Sequence, residues 1–134
     1  MTTWACLVLI ATSIHVDVRL SRPWSNGAYG EYIGIFKVIN IDPALSSSER
    51  DYTLVHELAH ALDHDHGPMS GKQALAYAVT REVYRAWGRK GPWEGLWSYE
   101  AHYAWRYMAE EDRRAAAIQD VTARILARCP GGER

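Results

Sequence analysis

The chain has few cysteines, little net charge and no long apolar run, and each shortage closes off a class of function. Cys6 and Cys129 are the two cysteines in 134 residues. They sit near opposite ends and belong to no Cys-x-x-Cys pair, so thiolate zinc sites are excluded. Two reduced thiols in a cytosolic protein is the expectation they carry, with a structural disulfide as the alternative. The formal net charge is −1, which gives no electrostatic basis for a nucleic-acid partner. Arg81, Arg85, Arg89 and Lys90 make a local basic cluster of the size of a solvated helix face. The apolar run Trp4–Ala11 is far shorter than the roughly 20 residues a bilayer span requires, and no basic segment precedes it. The expectation is a cytoplasmic protein with no membrane association. Internal repeats and low-complexity linkers are also lacking. What is present, 48% apolar and 23% charged residues, is ordinary globular usage. The length suits one domain over residues 1–134 with a core of its own.

Along the chain, residues 5–20 are rich in Val, Ile and Leu, with Ile14, Val16 and Val18 in alternation, and read as a first strand. Residues 22–30 hold Pro, Ser, Asn and two Gly, a loop composition. Tyr32–Ile41 alternates again and reads as a second strand, ended by Asp42-Pro43. Ser46-Ser47-Ser48-Glu49 fits a capping box, in which Ser and Glu satisfy orphan N–H groups reciprocally. The helix it starts runs to about residue 63 or 64, before Gly67-Pro68. A second helix is expected over residues 70–87, with Leu75, Val79, Val83 and Trp87 at helical spacing. A third is expected over residues 98–127, its buried stripe made by Ala101, Ala104, Trp105, Met108, Ala115, Ile118, Val121 and Ile125. Trp93 and Trp97 flank its start and are read as packing at the helix junction.

The chemistry lies in His56-Glu57-Leu58-Ala59-His60. Two histidines four apart on a helix share a face, one turn from each other. Their ring nitrogens can converge on one metal ion at about 2.0–2.1 Å. Glu57 is turned by about 100° from His56, so it flanks such an ion and can take a proton from a water activated there. A catalytic zinc needs a third protein ligand and one open position. His64 continues the row but lies about 12 Å along the axis from His56 in a regular helix. His66 reaches back only if the chain turns sharply after Leu62. Glu100, at the border of the third helix's stripe, is a half-buried carboxylate in need of a partner.

The stretch Tyr52-Thr53-Leu54-Val55-His56-Glu57-Leu58-Ala59-His60 resembles the active-site helix of the zincin metallopeptidases. It is particularly similar to the ImmA/IrrE-type peptidases, where an aromatic–Thr–Leu step precedes His-Glu-Leu. Ala59 departs from the Gly usual at that place. The resemblance covers about a third of the chain. It implies a gluzincin-like set: Zn²⁺ held by His56, His60 and a Glu on a later helix, often followed by Ala, with Glu57 as catalytic base. Glu100-Ala101 resembles that later element. A competing similarity is to metzincins, for which His66 has the ligand spacing, although Asp63 replaces the turn Gly. The resemblance further implies a peptide or protein substrate aligned along an edge strand, for which Tyr32–Ile41 is the candidate. Tyr99, His102 and Tyr103 are candidates for the donor that stabilises the oxyanion.

The expected fold class is therefore α+β. A small N-terminal β-sheet over residues 1–45 packs on an HExxH active-site helix over 46–66, followed by two further helices within 70–128. The expected activity is zinc-dependent peptide-bond hydrolysis. A non-catalytic zinc-binding regulatory module on the same fold is the alternative.

Overall fold

A computed structural model describes residues 1–25, 27–63, 69–93 and 112–131. Its elements in chain order are helix α1 (Thr3–Ser13), strands β1 (Asp17–Leu20), β2 (Gly30–Ile33) and β3 (Val38–Ile41), and helices α2 (Ser47–Leu62), α3 (Met69–Ala86) and α4 (Asp112–Arg128). This is the expected α+β arrangement, with the His-Glu-x-x-His helix following the sheet.

The N-terminal segment departs from its expectation. Residues 3–13 form a helix, and only Asp17–Leu20 is strand. A short apolar run fits a buried helix as well as a buried strand. Two features decide for helix. The Thr2 side chain accepts from the backbone N–H of Ala5, an N-cap. Thr3, Cys6, Leu7, Ile10 and Ala11 are buried, and that spacing follows one face of a helix.

The second expected strand is two strands. A turn over residues 34–37 joins β2 to β3, closed by hydrogen bonds from Phe36 N to Ile33 O and from Lys37 N to Gly34 O. Lys37 adopts the left-handed region, φ 51°. β2 and β3 pair antiparallel, Tyr32 opposite Ile39 and Gly30 opposite Ile41. β1 pairs parallel with β3, Val18 opposite Ile39. The order β1-β3-β2 leaves β3 in the centre, buried at all four residues.

α2 begins as expected. Ser46 Oγ accepts from Glu49 N and the Glu49 carboxylate accepts from Ser46 N. Leu54, Val55, Leu58 and Ala59 are fully buried. Each aliphatic side chain buried from water contributes roughly 1.5–3 kcal/mol, enough to fix the helix's rotation. α2 packs against α1, α3, β2 and β3. From α3, Leu75, Val79, Val83 and Tyr84 enter the core, and from α4, Ile118, Val121 and Ile125. Ala115, expected in that stripe, is exposed. The earlier part of the expected third helix lies outside the described residues.

Cys6 and Cys129 form a disulfide with Cα atoms 5.9 Å apart, correcting the expectation of two thiols. Beside it, Trp87 Nε1 donates to Cys129 O at 2.8 Å and Arg89 Nη1 to Thr3 Oγ1 at 3.0 Å. Among the described residues, no helix is long and apolar enough to cross a membrane.

Gly30 sets how closely β2 approaches α2. A Cβ there would lie 2.6 Å from Thr53 Cγ2 and 3.1 Å from Ile41 Cδ1. Thr53 cannot turn away freely, because its Oγ1 donates to Glu49 O at 2.8 Å. Gly30→Ala is therefore expected to cost about 1–3 kcal/mol. A thermal melt should fall by roughly 5 °C or more. Gly34→Ala, whose Cβ would meet nothing closer than 3.6 Å, should leave the melt nearly unchanged.

Candidate metal centre

The rotation of α2 that buries Leu54, Val55 and Leu58 turns His56 and His60 toward α3. Their Nε2 atoms stand 3.2 Å apart, and the rings cross at 75° with centroids 4.9 Å apart. Two ligands on a tetrahedral ion at about 2.0–2.1 Å are separated by roughly 3.3–3.4 Å. The imidazole pair is thus spaced for one shared cation. Glu57 Oε1 lies 3.9 Å from His56 Nε2. Ligand atoms of His56, Glu57 and His60 all fall within 4.8 Å of one another.

Glu57 is only 5% exposed, and its Oε2 is buried with no hydrogen-bond partner among the described residues. Burial, and then the negative charge of Glu31, push its pKa up to about 8. Glu31 is itself fixed on β2, accepting from the backbone N–H groups of Trp24 and Ser25 and from Asn40 Nδ2. An isolated buried carboxyl is costly, and a nearby cation offsets that cost by favouring the ionised form. Burial, followed by the charge on His60, lowers the His56 pKa to about 3, against a weaker raising effect from Gln73. His56 is therefore a neutral imidazole, the form that binds metals. The orphaned carboxylate oxygen and the paired imidazoles fit a divalent cation.

Two residues that the sequence reading missed complete the described part of the centre. Gln73, near the start of α3, places Oε1 3.0 Å from His56 Nε2 and 2.9 Å from His60 Nε2. One turn later, the Tyr77 ring meets the His56 ring with centroids 4.7 Å apart at 62°. Residues four apart on α3 thus face residues four apart on α2. The available signal was Gln73-Ala74, which repeats the pattern attached to Glu100-Ala101 with an amide in place of the acid. Glu100, His64, His66, Tyr99, His102 and Tyr103 lie outside the described residues, as does Trp97. Trp93 stacks on Tyr29 at 5.0 Å and meets the edge of Tyr52 at 5.4 Å, which agrees with a packing role.

Residues 11–86 match the model of the peptidase family described as IrrE N-terminal-like domain. The match spans β1 to α3, more than half of the chain, and includes the His-Glu-x-x-His helix. The chain belongs to the IrrE N-terminal-like domain family. No curated protein and no solved structure matches it. In this IrrE-like domain the matched stretch includes Gln73 and Tyr77 and ends before Glu100.

Proposed function

We propose that this IrrE-like domain is a zinc-dependent metallopeptidase, with His56 and His60 as metal ligands and Glu57 as catalytic base. The observation that carries the reading is the imidazole pair 3.2 Å apart beside a buried carboxylate oxygen that has no hydrogen-bond partner among the described residues. Zinc held there would supply Lewis acidity, acidifying water and polarising the scissile carbonyl. Glu57 takes the proton of the attacking water on a carboxylate oxygen and returns it to the leaving amine nitrogen. His56, held neutral by burial, keeps its lone pair for binding. Three groups compete for the third protein position: Glu100 and His66, which the sequence offers, and Gln73.

The substrate is a peptide or protein segment in extended form. Its docking edge is β2 rather than the whole stretch 32–41, because β3 is paired on both sides. A strand laid along β2 would gain main-chain hydrogen bonds close to α2. The Cys6–Cys129 cross-link favours an oxidising setting and stands in tension with the cytoplasmic expectation.

Elemental analysis tests the metal assignment. Wild-type protein purified with zinc should carry about one zinc per chain, and His56→Ala a small fraction of that. Equal zinc in both would refute the assignment.

A further inference from the structure

We infer that Gln73 is the third protein ligand of this centre, through its side-chain amide oxygen, where a charged carboxylate would otherwise stand. The inference rests on the metallopeptidase reading and names a residue that reading leaves open. Its first support is geometric. Gln73 Oε1, His56 Nε2 and His60 Nε2 form a triangle with edges of 3.0, 2.9 and 3.2 Å. Those edges are slightly shorter than the roughly 3.3–3.4 Å face of a tetrahedral zinc site. A shift of a few tenths of an ångström would convert one arrangement into the other. Carbonyl oxygen is an accepted donor for hard and borderline cations, and without an ion the same oxygen accepts from imidazole N–H groups. Gln73 can therefore hold both rings in position before an ion arrives.

The second support is positional. α3 packs directly against α2, and Tyr77 one turn further on rests against His56. Gln73 is thus carried by the neighbouring helix whose seat is fixed by Ala74, Leu75 and Val79 in the core. The stretch matched to the family contains both histidines and Gln73 but not Glu100.

The consequence is electrostatic. Two neutral imidazoles and a neutral amide leave the full double charge of the ion uncompensated by its ligands. Such a set binds zinc more weakly than one with a carboxylate, and holds a water of lower pKa. Gln73 and the metal-ligand histidines then set the affinity, and Glu57 supplies the nearby negative charge without ligating.

Zinc titration against a chromophoric chelator, on the full chain at fixed pH and ionic strength, tests this. Gln73→Ala should weaken zinc by about tenfold or more, Gln73→Glu should tighten it by about tenfold or more, and Glu100→Ala should leave it within about twofold. If Gln73→Ala fails to fold, the nearly isosteric Gln73→Glu still decides, because unchanged or weakened affinity in that variant overturns the inference. Loss of affinity in Glu100→Ala with none in Gln73→Ala also overturns it. A wild-type chain that binds no zinc would instead bring down the metallopeptidase reading itself.

Discussion

Glu57→Gln is expected to abolish peptide hydrolysis while zinc stays bound. The amide keeps the shape of the carboxylate but cannot accept a proton from water. Loss of a positioned base costs typically 10²–10⁴-fold, and Glu57 would act twice in one turnover, as acceptor and then donor. A fall in kcat/KM of about 10³-fold or more, at unchanged zinc content, is the result to look for. Retention of the metal follows from position: the nearest Glu57 oxygen is 3.9 Å from His56 Nε2, beside the imidazole pair. Loss of zinc in the variant would make Glu57 a ligand and remove the proposed base.

The same variant should alter how stability depends on pH in the metal-free protein. Glu57 has its folded-state pKa raised from 4.5 to about 8. Its contribution is therefore fully present below pH 4.5 and lost as the pH rises to 8. His56 runs the other way, lowered from 6.5 to about 3, so its contribution is present above pH 6.5 and lost toward pH 3. Between pH 6.5 and 8, Glu57 alone of the two changes. At about 1.4 kcal/mol per pH unit, the wild type should lose roughly 2 kcal/mol there through this group. Urea melts at the two pH values should show that loss in wild type and its disappearance in Glu57→Gln.

The other large effect concerns Cys6 and Cys129, 123 positions apart. A loop of that length closed in the unfolded chain costs it entropy equivalent to roughly 5 kcal/mol, and measured values for native disulfides run at about 2–5 kcal/mol. For a chain of this size the corresponding drop in Tm is on the order of 10 °C. The double variant Cys6→Ala, Cys129→Ala should show it with and without reductant. The wild type should show it only when reduced. The cross-link joins α1 to the end of α4, and neither element carries a residue of the metal centre. Zinc affinity near room temperature should therefore survive the change. Coincident melts of reduced and oxidised wild type would mean that the bond stabilises nothing.

What could be read from the sequence was local. The capping box needs only Ser46 and Glu49 within one turn, and α2 begins where they place it. The histidine spacing needs only a helix, and the two rings do converge. What could not be read depended on neighbours. The apolar run from Trp4 suits a strand or a helix equally, and its Thr2 cap is a single weak signal. The turn between β2 and β3 carries apolar residues outward, Ile35 at 90% and Phe36 at 62% exposure, so Gly34 is a weak signal of reversal inside an apolar run. Gln73 is invisible for a different reason. An uncharged amide is an unusual partner for a metal site, and its place shows only once α3 lies against α2.

The disulfide also changes what a cut in this polypeptide means. Residues 6–129 form a covalent ring, and the turn at 34–37 is the kind of exposed tip where proteases nick. A single cleavage there would open the ring and release no fragment. The nicked species would keep its mass apart from one added water, and would run as one band until reductant separated it into two. Such a cut is thus silent to any assay that leaves the sulfurs joined.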